Sequence, residues 1–409
     1  MTDSITLPVS ILGSISREEF LRDYWQKNPL LIRQALPVFT PPLYIDELAG
    51  LALEETVESR LVMEQGPESP WQLFNGPFKE SFLQNLPEKD WTLLVQAVDH
   101  LLPEVGELLE AFDFLPSWRV DDVMISFAPE GGSVGPHFDY YDVFLIQASG
   151  KRRWQLGQHC DESSPLRSDT RLKILTEFAA NAEQDWVLEA GDLLYLPPQL
   201  AHWGTSLSQD CTTWSVGFRA VSAEEILCGV ADFVGETLQE DLRYTDADLT
   251  LPQHKAAIDD AAMARVKNLL NQVMDNPAAL SESFGRAMPQ TKYPDQLLPQ
   301  EHPWTTATLH ELLEETRDEA VLFVVAEGSR LAFRASAEGN WLFADGEALT
   351  FSKELEDWVA KLCATPNLEL DFIKLTLSLP EASELFIKLI NQGSVYLIEE
   401  DEDASDLLH

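Results

Sequence analysis

The sequence predicts an α+β protein: a central β-sandwich or barrel with helices before and after it, closed by a mixed helix–strand unit. Three observations predict it. Between about residues 118 and 220, short β-rich runs follow one another, divided by Gly, Pro, Asn, Asp and Ser: DDVMISFAP, VGPHFD, YDVFLIQASG, KRRWQLG, DWVLEAGDLLYLPP, HWGTSL and TTWSVGFRA. Helical patterning precedes and follows that stretch. From Pro289 a loop rich in Pro and Gln, through QTKYPDQLLPQEHPW, then cuts off a C-terminal part of different pattern.

Each element has its own signal. Ser16 opens a helix as N-cap, with Glu19 three residues on as a capping box requires; Phe20 and Tyr24 share a face, and Pro29 ends the helix. LLIRQAL reads as a strand and IDELAGLALEE as a second helix, while KDWTLLVQAVDHLLPEVGELLEAF reads as one or two more helices. After the β-rich stretch, AEEILCGVADFVGETL and KAAIDDAAMARVKNLLNQVM are helical. In the C-terminal part TLHELLEETR is a helix, AVLFVVAEGSRLAFRASAEGNWLFADGEALTF a set of short strands, and SELFIKLINQGSVYLIEE a helix then a strand, a pattern compatible with a winged helix. The expected domains are 1–221, 222–304 and 305–409, and the tail EEDEDASDLLH reads as disordered.

Composition bounds the function. The chain has 409 residues, with 28 Lys+Arg against 69 Asp+Glu, a formal net charge of −41. Such a surface repels phosphate backbones, so direct nucleic-acid binding is not expected. It attracts basic partners over about 10 Å at about 0.1 M salt, although solubility alone is the plainer use of the charge. Cys160, Cys211, Cys228 and Cys363 form no CxxC pair, which argues against a zinc ribbon, a redox dithiol or a disulfide scaffold and fits a reducing cytoplasm. The N-terminal residues do not read as a secretory leader, and no apolar run reaches the roughly 20 residues of a membrane span.

The chemistry begins at VGPHFDYYDVF. His137 and Asp139, two apart on an expected strand, point to one face. The HxD spacing is common, and a hydrogen-bonded pair is its ordinary meaning. A second segment, EAGDLLYLPPQLAHWGTSL, strengthens it: two turns and a strand deliver His202 at the start of the next strand, and a barrel can return it beside the HxD pair. Two His and one carboxylate on one face of a metal leave three positions open, which suits non-haem Fe(II) and O2 better than zinc. The third part is cationic. In QASGKRRWQLG, alternation puts Arg152 and Trp154 on one face and Lys151 and Arg153 on the other. An inward Arg152 needs an anion and grips a carboxylate bidentately, as one end of a dicarboxylic cosubstrate would require; Ser126 on an adjacent strand adds a hydroxyl. The competing reading pairs all three basic residues with nearby acids.

HFD, then Arg152 after a hairpin, then GDLLYLPPQLAH together resemble the JmjC branch of the cupin superfamily. The stretch DDVMISFAPEGGSVGPHFDYYDVFLIQASGKRRWQLG, with NPLLIRQAL, ELAGLALEETVESRLV and WTLLVQAV before it, is similar to the bacterial ribosomal oxygenases. The resemblance runs from about residue 15 to 235 and is faint beyond. It implies a double-stranded β-helix followed by a helical dimerisation segment and a C-terminal winged-helix domain. It implies iron held by His137, Asp139 and His202, and 2-oxoglutarate anchored by Arg152 with Ser126, with O2 as the oxidant. The implied activity is hydroxylation of an arginine in a large-subunit ribosomal protein, by a cytoplasmic homodimer. Relatives in the superfamily hydroxylate histidine instead, and PEGGSVG and Tyr140 are where this chain departs from the family pattern.

Asp121, Asp122, Tyr140 and Asp142 are the residues to which substrate contact is assigned; strand-end capping is the alternative for the three acids. A free basic ribosomal protein, rather than an assembled subunit, is the partner the charge favours. Two rival classes remain: a cupin dioxygenase or isomerase acting on a small metabolite, and a metal-free binding module.

Overall fold

The computed structural model describes residues 7–8, 10–64, 71–235, 238–316 and 321–398; the acidic tail lies outside them. The chain divides into two compact units, 1–220 and 221–409.

In the first unit the order is α1 (Arg17–Asp23), β1 (Leu30–Ile32), α2 (Ile45–Leu51), β2 (Ser59–Met63), β3 (Gln72–Asn75), α3 (Glu80–Leu83), β4 (Trp91–Val95), α4 (Pro103–Gly106), β5 (Val120–Ala128), β6 (Asp142–Ser149), β7 (Lys151–His159), β8 (Asp185–Glu189), β9 (Leu193–Leu196), β10 (Leu200–Ser206) and β11 (Cys211–Phe218). Eight strands form one antiparallel sheet in the order β1-β9-β6-β11-β5-β4-β2-β3, and three form a second, β10-β7-β8. Two facing antiparallel sheets traversed in this crossed order make the double-stranded β-helix.

Alternation sorts the strands of the large sheet into two faces. One face, with Ile125, Phe144, Tyr195, Trp214 and Phe218, is covered by α1 and by the short helical turns between Val98 and Phe112. Phe20 of α1 is fully buried there, its ring 5.0 Å from Tyr195 and 5.6 Å from Phe144. Truncating it to alanine would cost about 3–5 kcal/mol. The Ser16 hydroxyl caps α1 by accepting from the Glu19 amide at 3.1 Å, although the helix stops at Asp23, short of Pro29. The opposite face, with Val143, Leu145, Leu194 and Leu196, meets Trp154, Leu156 and Leu188 of the small sheet. The site lies on this inner face.

Two local expectations are corrected. Trp91–Val95 is a strand, not a helix: it pairs on one side with β2 and on the other with β5. An apolar run of this length fits either state by pattern alone, and pairing inside a sheet decided it. His137 and Asp139 do not sit in a regular strand. The segment 133–139 pairs its backbone with β10 through isolated bridges rather than a continuous ladder, Ser133 with Thr205 and His137 with His202.

The second unit contains α5 (Ala223–Gly235), α6 (Asp260–Met274), α7 (Pro277–Ala287), α8 (Thr306–Glu315), β12 (Val321–Val325), β13 (Leu331–Ser336), β14 (Gly339–Ala344), β15 (Glu347–Thr350), α9 (Glu356–Ala364), β16 (Asn367–Glu369), α10 (Leu370–Ser378), α11 (Pro380–Gln392) and β17 (Val395–Leu397). Phe323, Trp358, Ile373, Phe386 and Leu389 form its core beneath the sheet β16-β12-β17, a winged-helix arrangement. The hairpins β13-β14-β15 form a second sheet, against which α7 packs. Among the described residues no helix is long and apolar enough to cross a membrane.

Candidate metal and cosubstrate site

His137 and His202 are set opposite each other by a reciprocal pair of backbone bonds, His137 N–H to His202 O at 3.1 Å and His202 N–H to His137 O at 2.9 Å. The approach of the loop depends on Gly135, whose φ is +82° and where a Cβ would lie 2.9 Å from Ile174 Cδ1. Asp139 is tied to the next turn, its carbonyl accepting from the Gln199 amide. The turn between β8 and β9, which leads through β9 to β10, is fixed by Asp192: its buried carboxylate accepts from the Arg33 guanidinium at 2.6 Å, the Gln34 amide at 2.9 Å and the Glu189 amide at 3.0 Å. Burial pushes the Asp192 carboxyl up, but those amides and the guanidinium outweigh it and hold it below the usual range.

The side chains converge. His137 Nε2 and His202 Nε2 are 3.1 Å apart, and Asp139 Oδ2 lies 3.8 Å from the first and 3.6 Å from the second. The ligand atoms of all three lie within 4.8 Å of one another. Each Nδ1 is 2.9 Å from a carbonyl oxygen of its own chain segment, Gly135 O and Leu200 O. A carbonyl only accepts, so each Nδ1 carries a hydrogen, the tautomer in which a neutral imidazole presents its Nε2 lone pair as a metal ligand does. Burial, reinforced by neighbouring His137, pushes His202 down to about 4 in spite of Asp139, so its ring is neutral at physiological pH. Two lone pairs and a carboxylate facing one point repel unless a cation sits among them, and the donor set therefore fits a divalent metal. His202 is 3% exposed, whereas the side chains of His137 and Asp139 are about a quarter exposed, leaving one side of the cluster open. His100, in a short turn beside Asp99, and His159, at the end of β7, stand outside the cluster.

Arg152 and Trp154 turn inward from β7, as the alternation predicts, while Lys151 and Arg153 turn out to pair with Glu189 and Asp185. Register places Trp154 opposite Gly204 and Arg152 opposite Ser206, so Arg152 lies two side-chain rows beyond His202 on the same inner face. Gly204 is required there: a Cβ would meet the Trp154 ring at 2.7 Å. Arg152 is 3% exposed, and its Nη2 has no hydrogen-bond partner among the described residues. A buried guanidinium with an unused N–H edge fits the carboxylate of a small dicarboxylic acid. Ser126 is buried on the inner face of β5, its hydroxyl donating to Thr213 O at 3.3 Å.

The four substrate-facing expectations divide. Asp142 is corrected: it is fully buried at the outer face, accepting from Tyr195 Oη at 2.6 Å, Gln26 Nε2 at 2.9 Å and Arg119 Nη2 at 3.3 Å. No substrate reaches it; its position at the end of the HFDYY loop hid which face it would take. Asp121 pairs with Arg219 at 3.3 Å. Asp122 accepts from Gln96 Nε2 on the inner face, and Tyr140, adjacent to Asp139, is 51% exposed. Sequence reasoning missed three buried residues behind Arg152: Gln147, Cys211 and Thr213. A glutamine at an inward position of the apolar strand DVFLIQAS was the signal that could have found the first.

Known proteins share this fold. The JmjC domain family matches residues 107–226, and the ROXA-like winged helix family matches residues 271–396. The chain is 38% identical over 306 residues to the ribosomal protein uL16 3-hydroxylase of Escherichia coli, covering 73% of this chain and 78% of that protein. It is 38% identical over 280 residues to a probable ribosomal oxygenase of Haemophilus influenzae, covering 67% of this chain and 68% of that one. The X-ray structure of E. coli YcfD superposes with a TM-score of 0.84 at 31% identity, covering 97% of this chain and 100% of that one. The structure of YcfD, a ribosomal oxygenase, in complex with cobalt and 2-oxoglutarate superposes at 0.81 with 31% identity, covering 94% and 99%.

Proposed function

The chain belongs to the JmjC-domain ribosomal oxygenases, and from that membership we propose that it is an Fe(II)- and 2-oxoglutarate-dependent hydroxylase of an arginine side chain in a large-subunit ribosomal protein. The observation that carries the reading is the opposed pair of His137 and His202 lone pairs beside Asp139, with the unpartnered edge of Arg152 two rows away on the same face. A metal-binding triad alone would fit many reactions; the buried cation at that distance selects a dicarboxylic cosubstrate.

His137, Asp139 and His202 would hold the iron, and Arg152 with Ser126 the far carboxylate of 2-oxoglutarate. When bound, iron and 2-oxoglutarate supply the activation of O2 that places a hydroxyl on an unactivated carbon. The protein contributes position and enclosure. Neutral His202 offers its lone pair without first losing a proton, Trp154 and Leu156 keep the inner face dry, and Arg152 orients the oxo acid. Asp122, on the inner face, and exposed Tyr140 are the proposed contacts for the substrate guanidinium.

The E. coli relative is named for uL16, and we assign a protein of that kind as substrate. A net charge of −41 would draw in a free basic ribosomal protein and repel assembled ribosomal RNA, and a ribosomal-protein substrate supports a cytoplasmic site for the reaction. Two copies are proposed to pair through segment 222–304: Met263, Val266, Leu270 and Met274 line one exposed face of α6, and no α6 residue is buried within the chain.

Incubation with Fe(II), 2-oxoglutarate and total ribosomal protein, followed by mass spectrometry, tests this. The expected product is one ribosomal protein heavier by one oxygen on an arginine, formed only with 2-oxoglutarate. Modification of histidine, or none, would overturn the assignment.

A further inference from the structure

We propose that Cys211 and Gln147 act as positioning residues that set the plane of the Arg152 guanidinium and so aim its free edge at the cosubstrate; this rests on the reading of Arg152 as the 2-oxoglutarate anchor. Arg152 comes from the small sheet, whereas Gln147 and Cys211 come from β6 and β11 of the large one. Arg152 Nε donates to Cys211 Sγ at 3.4 Å, and Gln147 Nε2, 3.3 Å from the same sulfur, shares its two hydrogens between that sulfur and two carbonyl oxygens. The Gln147 amide is held in one orientation. Its nitrogen faces Ser149 O at 2.7 Å and Thr212 O at 3.2 Å, and its oxygen accepts from Thr213 Oγ1 at 3.3 Å. Flipping the amide would set oxygen against two carbonyl oxygens. Cys211 and Gln147 are completely buried and Thr213 is 2% exposed, so no water competes for these bonds.

The geometry has a directional consequence. A guanidinium presents five N–H groups in a planar fork. The contact from Nε to Cys211 occupies one edge and fixes the rotation about the last side-chain bonds. The Trp154 ring, 5.8 Å from the guanidinium carbon, bounds the plane on one side. What remains for an incoming carboxylate is the edge that carries unpartnered Nη2. A sulfur acceptor suits this position, because it reaches a donor at longer range than a hydroxyl and gives Arg152 no counter-charge to compete with the cosubstrate.

Affinity decides the matter. Mn(II) replaces iron so that no turnover occurs, and calorimetry measures binding of 2-oxoglutarate and of 2-oxobutanoate, which keeps the oxo-acid end but lacks the distal carboxylate. Cys211→Ala and Gln147→Leu are expected to raise the 2-oxoglutarate Kd about 3- to 10-fold and leave the 2-oxobutanoate Kd unchanged, and Cys211→Ser, which keeps an acceptor of shorter reach, is expected to recover part of the loss. Wild-type 2-oxoglutarate affinity in Cys211→Ala and Gln147→Leu, or equal weakening for both acids, would overturn the proposal. Arg152→Met separates the two levels. If it abolishes the preference for 2-oxoglutarate while the Cys211 and Gln147 variants do not, only the positioning role fails; if it too binds like wild type, the anchor reading fails with it. Should Gln147→Leu not fold, the near-isosteric Cys211→Ala and Cys211→Ser pair decides alone.

Discussion

His137 Nε2 and His202 Nε2 face each other at 3.1 Å, each with its other ring nitrogen turned to a carbonyl oxygen. The arrangement is self-repelling without a cation, so metal should stabilise the fold as well as enable chemistry. Mn(II) at about 100 times its Kd contributes about 2.7 kcal/mol, which for a unit of this size raises Tm by roughly 5–10 °C. Differential scanning calorimetry should show that gain in the wild type, lose it with chelator, and find none in His202→Ala.

Asp142 and Asp122 should behave oppositely. Asp142→Ala leaves the buried Tyr195 hydroxyl without its acceptor and should cost about 1–3 kcal/mol in urea unfolding, with KM for the protein substrate unchanged. Asp122→Asn keeps the shape of the Gln96 contact but removes the charge, and should raise that KM several-fold at nearly constant stability. A reversal of the two outcomes would remove Asp122 from the substrate path.

Asp192 supplies a pH signature. Its carboxyl is held below the usual range, so the stability it contributes is present above the unfolded-state value of about 3.9 and is lost as pH falls through the lower folded-state value. Asp192→Asn should cost about 1–3 kcal/mol at neutral pH, and the gap to wild type should close on the acid side of that window. Urea midpoints from neutral pH downward measure it; a gap constant with pH would contradict the assignment.

The charge of the chain should appear in kinetics. If a surface at −41 steers a basic ribosomal protein, kcat/KM should fall steeply between low and physiological ionic strength, with kcat little changed. Stopped assays across a salt series check this, and a flat profile would reduce the charge to a solubility device.

Much of the site was legible in the sequence because its parts are local. HxD spacing, the Gly191–Asp192 turn leading to His202, and alternation through KRRW each state where a side chain points, and the barrel brings them together. What was not legible depended on distant partners. Trp91–Val95 became a strand because β2 and β5 flank it. Asp142 turned to the outer face because Gln26, Arg119 and Tyr195 meet it there. Cys211 lies 59 residues from Arg152 and 64 from Gln147, and no periodicity links them.

The central claim is that three side chains share one metal ion. Anomalous diffraction from a crystal soaked in Mn(II) tests it most directly. The account predicts one peak per chain, within about 2.5 Å of His137 Nε2, His202 Nε2 and one Asp139 oxygen, absent in crystals of His202→Ala. A wild-type crystal with the His202 ring turned away from His137 and Asp139, or with metal bound elsewhere and none between them, would contradict it.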